Sequence, residues 1–230
     1  MGTMMQVKTD AGSFDAYVAT PDSGAGPAIV VIQEIFGVNK VMRDIADGLA
    51  AQGYVAVCPD LFWRIEPGVD ITDQTPEEWQ KAFDLYGKFN VDTGVEDIQA
   101  TIDAIRPLAA NGKVGAVGYC LGGLLAYLTA TRTDADAAVS YYGVGMDQKL
   151  DEADGLKAPL LMHIAEEDKF VSKEAQGAIA AKMASVPGAT VHFYPGLDHA
   201  FARVGGEHYD KDGAELANGR TARFFELMLG

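Results

Sequence analysis

Apolar positions along the chain fall into two patterns. Near the start, Gln6-Val7-Lys8-Thr9 and residues 14–20 alternate polar and apolar side chains across Asp10-Ala11-Gly12-Ser13, the period-two signature of a small antiparallel hairpin at a sheet edge. After that the alternation stops. Residues 28–32, 54–58, 114–117 and 160–164 are short continuous apolar runs, which predicts central strands buried on both faces in a parallel sheet. Residues 137–142 and 190–194 add two more, the second introduced by Pro187-Gly188 and stopped by Pro195-Gly196. Between them, residues 41–51, 76–89, 95–108, 121–131, 173–184 and 214–229 carry apolar residues at three- and four-residue spacing, which predicts helices. Asn39 lies just upstream of the first, and Thr75-Pro76-Glu77-Glu78 reads as a cap, a proline at the first helical position and an acidic first turn.

This alternation predicts an α/β fold with right-handed crossovers and helices on both faces of a mostly parallel sheet. No repeat, charge block or linker rich in Pro, Gly and Ser interrupts residues 1–230, so a single domain is expected, large enough for a substantial core. In such a sheet the functional residues belong on the loops at the carboxyl ends of the strands. Composition narrows the partners. With 18 Lys and Arg against 33 Asp and Glu, the formal charge is −15, a field that repels nucleic acid and anionic membrane surfaces. The first ten residues hold no apolar segment behind a basic flank, and no apolar run approaches the ~18–20 residues of a membrane span. A cytoplasmic protein is expected, in which Cys58 and Cys120 stay thiols.

One of those thiols is placed for chemistry. Directly after the apolar run 114–117 comes Gly118-Tyr119-Cys120-Leu121-Gly122-Gly123, with a helical pattern behind it. A sharp strand-to-helix turn holds its central residue in a strained backbone state, and side chains two positions either side would collide there, so glycine is needed at both. The turn also puts the central residue at a helix N-terminus, where backbone N–H groups favour a thiolate or an oxyanion. A buried cysteine between packing glycines is the bland alternative; the strand and helix around it favour the nucleophile. A nucleophile elbow calls for an acid and then a histidine further along. Asp168, ending Glu166-Glu167-Asp168, and His199, in Gly196-Leu197-Asp198-His199, each follow a predicted strand. Glu166, Glu167 and Asp198 compete for the acid role. His163 and His192 fall inside strands, and His208 lies in a polar loop. Glu34 should project from the end of the strand 28–32, with the Ile35 N–H joining the Leu121 N–H as an oxyanion hole. Phosphate-loop and dinucleotide fingerprints fail, and no metal-ligand spacing exists, so no cofactor and no metal is implied.

Five segments stand out together: Gln33-Glu34-Ile35-Phe36-Gly37-Val38-Asn39, Cys58-Pro59-Asp60-Leu61, Gly112-Lys113-Val114-Gly115 running into Gly118-Tyr119-Cys120-Leu121-Gly122-Gly123, Tyr141-Tyr142-Gly143 and His199-Ala200-Phe201-Ala202-Arg203. On these segments, and across nearly its whole length, the sequence resembles the dienelactone hydrolases, the carboxymethylenebutenolidases of the α/β-hydrolase fold. The resemblance implies Cys120, Asp168 and His199 as a triad, Glu34 as partner of the resting thiol, Arg203 as ligand of a substrate carboxylate, and Tyr142 and Phe36 as pocket residues. It further implies hydrolysis of dienelactone (4-carboxymethylenebut-2-en-4-olide) to maleylacetate in the breakdown of aromatic or chloroaromatic compounds. One departure stands out. Where the family carries a second arginine for the carboxylate, this chain has Trp79, with Lys81 two residues on. A lysine is a less directional anion ligand than an arginine fork. Two alternatives accompany this reading: a broader carboxylesterase or thioesterase on the same fold, and a catalytically silent small-molecule binding protein. The implied partner is a small lactone or ester, with oligomeric state left open and a monomer among the options.

Overall fold

The computed structural model describes residues 2–230, which cluster into two compact units, Met1–Ala116 and Val117–Gly230. In the first unit, β1 (Thr3–Thr9) and β2 (Gly12–Ala19) form an antiparallel hairpin with Thr3 opposite Val18 and Thr9 opposite Gly12. β3 (Ala28–Ile32) and β4 (Val55–Pro59) are buried along their whole length and pair parallel, while β4 also takes β2 antiparallel. The strand order in this unit is therefore β1-β2-β4-β3. The hairpin begins three residues before the alternating stretch, because Met4 is 60% exposed and breaks the apolar pattern without breaking the ladder.

The helices of this unit start where a side chain caps them. In α1 (Lys40–Ala51) the Asn39 side chain accepts the Met42 N–H, and in α2 (Pro76–Lys88) Thr75 accepts the Glu78 N–H, as the sequence signals suggest. α3 (Val91–Ile105) opens four residues earlier than its apolar periodicity, because Asn90 accepts the N–H groups of Asp92 and Thr93 and the first turn is polar. Periodicity sees only the turns that face a core. α1 packs on β2, β3 and β4, and α3 on β1, β3 and β4. A partly buried ion pair ties α3 down: Asp97, 1% exposed, accepts from Arg64 Nε and Nη2 and from the Trp63 indole N–H, with the Arg64 guanidinium lying over the Trp63 ring.

β5 (Val114–Tyr119) opens at the end of the first unit, where the Ala28 N–H donates to the Lys113 carbonyl at 3.0 Å, and finishes in the second. In the second unit β6 (Ala137–Tyr141), β7 (Leu160–Ala165) and β8 (Ala189–Tyr194) pair parallel in that order. α4 (Leu121–Arg132) packs on β6 and is buried from Leu121 through Thr131, so it is apolar all round rather than along one stripe. α5 (Lys173–Met183) packs on β8, and α6 (Lys211–Leu229) on β6 and β7. α6 starts three residues ahead of its apolar pattern, again at a cap, Asp210, that accepts the Gly213 N–H. A 3₁₀ segment, Met146–Gly155, kinked at Lys149, was not visible in the hydropathy pattern because it is short-pitched and mostly polar. Among the described residues no helix is long and apolar enough to cross a membrane.

Candidate active site

Cys120 sits between β5 and α4 with φ 57° and ψ −115°, a conformation that costs a non-glycine residue of order 1–3 kcal/mol and persists only where its surroundings impose it. They do so here through glycine. A Cβ on Gly118 would lie 1.8 Å from the Gly122 carbonyl oxygen, and one on Gly123 would lie 2.5 Å from the Tyr141 oxygen and 2.7 Å from the Gly143 Cα. The helix is thus jammed against the end of β6, and the Cys120 N–H donates to the Tyr141 carbonyl at 3.1 Å. No side chain caps α4, which leaves the Leu121 amide, at the first helical position, facing an N-terminus suited to negative charge.

The loops after β7 and β8 bring two further residues to this thiol. His199 hydrogen-bonds the Cys120 side chain through its ring, and its Nδ1 lies 2.8 Å from Asp168 Oδ2. The other Asp168 oxygen accepts the Phe170 N–H at 2.8 Å. All three are buried, at 8% exposure for Cys120, 6% for Asp168 and 4% for His199. Burial disfavours an imidazolium, but the adjacent Cys120 and the Asp168 hydrogen bond outweigh it, and His199 is pushed up to about 10. Two of the three rivals for the acid position hold a lysine instead. Asp198 holds Lys169 at 2.9 Å and Glu167 holds Lys173 at 3.2 Å, while Glu166 is tied through its backbone carbonyl, which accepts from the Gln176 side chain. His163 is a core histidine, its Nδ1 on the Tyr194 hydroxyl at 2.7 Å and its Nε2 on Thr221 at 2.9 Å. His192 lies beside it on β8, and His208 approaches Asp198 at 3.7 Å.

Aromatic rings close around His199. Tyr142 meets it edge-on at 5.1 Å and Phe170 at 4.8 Å. Tyr142 ends β6 one residue earlier than the apolar run suggests, because it turns to φ 37° while donating its N–H to the His163 carbonyl. Among the described residues the non-glycine positions with positive φ are Cys120, Tyr142 and Ala200, and all belong to this site. Phe170, half exposed, was not legible in the sequence: a lone phenylalanine in a polar loop has no pattern to mark it. Arg203, 7% exposed, is held in the turn after His199, its N–H donating to the Ala200 carbonyl.

The first unit holds the remaining expected residues. Glu34, 1% exposed, follows β3, with its carbonyl accepting from the Gln33 amide while the Gln33 side-chain oxygen takes the Leu61 N–H. Ile35 and Phe36 are buried beside it, Phe36 edge-on to Trp79 at 5.0 Å. Lys81, expected to hold a substrate carboxylate, has its ammonium 2.6 Å from Glu66 with both side chains substantially exposed. Its charge is already answered. Among the described residues no group of three or more histidine, cysteine or carboxylate side chains converges as a metal site.

The profile of the dienelactone hydrolase family matches residues 14–229. The chain belongs to that family. A protein of Azospirillum brasilense provisionally named a carboxymethylenebutenolidase is 54% identical over 226 residues, covering 96% of each chain. The carboxymethylenebutenolidase of Pseudomonas putida is 41% identical over 216 residues, covering 94% of this chain and 92% of its own. A Klebsiella pneumoniae protein provisionally named a dienelactone hydrolase superposes with a TM-score of 0.86 at 25% identity, covering 98% of both chains. This dienelactone hydrolase family member therefore has the α/β-hydrolase fold and is a carboxylic ester hydrolase.

Proposed function

We propose that the protein hydrolyses dienelactone to maleylacetate with Cys120 as nucleophile, His199 as its acid–base partner and Asp168 orienting the imidazole. The observation that carries this reading is the continuous hydrogen-bonded chain from Cys120 through His199 to Asp168 at the uncapped head of α4. In the mechanism, Cys120 passes its proton to His199, its sulfur adds to the lactone carbonyl and the oxyanion takes the Leu121 N–H. The ring C–O bond then breaks and expels an enolate, which His199 supplies with a proton. Water, deprotonated by His199, attacks the thioester, and the thiol returns. A stabilised enolate is a good leaving group, so a thiol suffices where an amide would demand more. Roles for Glu34 as partner of the thiol, for the Ile35 N–H as second oxyanion donor and for Phe36 in the pocket follow from the family resemblance. A reducing cytosol keeps such a thiol reduced, which fits the cytoplasmic setting we propose.

Arg203 is the cation we assign to the substrate carboxylate. The Lys81–Glu66 pair favours a second reading, a broader carboxylesterase, because Lys81 must leave Glu66 to serve any anion. The two are separated by measuring dienelactone and a neutral aryl ester on wild type, Cys120→Ala and Arg203→Ala. Cys120→Ala should abolish both activities, and turnover near the native level would end the nucleophile assignment. Arg203→Ala should lose a charge-assisted contact of about 1.5–3 kcal/mol, roughly ten- to a hundredfold in kcat/KM, on dienelactone alone. Equal losses on the two substrates would favour the carboxylesterase.

A further inference from the structure

The loops that carry Asp168 and His199 are joined by successive rungs. The Glu167 N–H donates to the Leu197 carbonyl at 2.9 Å, and Asp168 meets His199 at 2.8 Å. Between these lies Asp198, the residue immediately before the histidine. Its Oδ1 accepts the N–H of His199 itself at 2.7 Å and the N–H of Lys169, the residue immediately after Asp168, at 3.3 Å. Its Oδ2 takes the Lys169 ammonium at 2.9 Å and faces His208 Nε2 at 3.7 Å. One carboxylate thus grips the immediate neighbours of both members of the acid–base pair. Partial burial pulls Asp198 upward, but the Lys169 and His199 hydrogen bonds more than compensate and hold it below the usual carboxylate range.

The loop needs such a grip. Ala200, directly after His199, stands at φ 60°, a left-handed conformation that an alanine does not keep without help from its surroundings. An imidazole that drifts by an ångström loses its hydrogen bond to the carboxylate and its alignment with the nucleophile. Exposed ion pairs such as the one to Lys169, whose side chain is 72% exposed, contribute little by themselves. The two backbone N–H groups shared by a single oxygen are therefore the working part.

We infer that Asp198 is a positioning residue: by tying the Lys169 amide to the His199 amide it sets the Asp168–His199 geometry. This rests on the reading of Asp168 and His199 as the acid–base pair. Asp198→Asn keeps the shared oxygen acceptor and loses only the charge, whereas Asp198→Ala loses both. The test reads kcat and KM together with the downfield proton resonance of the His199 Nδ1–H held by Asp168. Asp198→Ala should lower kcat about tenfold or more with KM within about twofold, and should shift or broaden that resonance. Asp198→Asn should stay within about threefold of wild type, with the resonance in place. A wild-type resonance and kcat in Asp198→Ala would overturn the proposal, and so would a loss of thermal stability alone. If Asp198→Ala does not fold, Asp198→Glu moves the acceptor by one methylene while keeping the charge, and an unshifted resonance with native kcat again overturns it. Asp168→Asn is the control. If the wild type has no resonance that this substitution removes, the acid–base reading has failed, whatever Asp198 does.

Discussion

The same residue type takes different surroundings in the two units. Cys58 is fully buried, and burial, then the nearby Asp60, push its thiol well above the ordinary range. Cys120 instead hydrogen-bonds an imidazole at a helix N-terminus. Histidine divides in the same way. His163 is lowered to about 3, chiefly by burial and then by His192 and Arg220, whereas Cys120 and Asp168 overcome burial at His199. His163 therefore makes a pH prediction with a definite sign. Its folded value lies below the ordinary 6.5 of an unfolded chain, so its contribution to stability is complete above about pH 6.5 and is lost as the pH falls towards 3. The unfolded chain binds a proton there that the folded one refuses. The slope should be up to about 1.4 kcal/mol per pH unit in that window. Urea unfolding of wild type and His163→Asn between pH 4 and 7 checks this: the variant should be less stable at pH 7 and should flatten in the acid limb. Parallel curves would show that His163 does not set the acid limb.

At the level of elements, glycine decides where α4 can lie. Gly123 allows the first turn of the helix to touch the end of β6, and Gly118 lets β5 meet the Gly122 carbonyl. Gly177, in the middle of α5, is exposed, and a Cβ there would meet nothing within 4 Å. The two positions predict opposite outcomes for one substitution. Gly123→Ala overpacks a close approach of backbone to backbone and should destabilise by about 3 kcal/mol, with a large loss of kcat as Cys120 is displaced. Gly177→Ala should stabilise by about 0.5–1 kcal/mol, because helix propensity improves and the unfolded chain loses freedom. Denaturant unfolding with an activity assay on both proteins tests the pair. A tolerated Gly123→Ala would mean that the contact of α4 with β6 does not hold the nucleophile in place.

At the scale of the whole molecule, a formal charge of −15 opposes an anionic lactone before it reaches any local cation. Added salt shortens the Debye length to about 10 Å at 0.1 M and screens that repulsion. The kcat/KM for dienelactone should therefore rise from low salt to about 0.2 M, while a neutral aryl ester stays flat. A fall with salt would mean that local cations outweigh the global field. Much of the protein is legible from its sequence. Continuous apolar runs mark the buried strands, caps at Asn39 and Thr75 mark helix starts, and the glycines flanking Cys120 mark the elbow, because each is a local pattern with a local cause. Other features depend on groups far apart in the chain, and only the tertiary structure decided them. Asp168 meets His199 while Asp198, adjacent in sequence, bonds Lys169 instead; Phe170 reaches the imidazole from a polar loop; Lys81 is drawn to Glu66. Residue type and spacing place Asp168, Asp198 and His199 on the loops after β7 and β8. Which partner each takes depends on distances and directions across folded loops, and these exist only once the chain has closed.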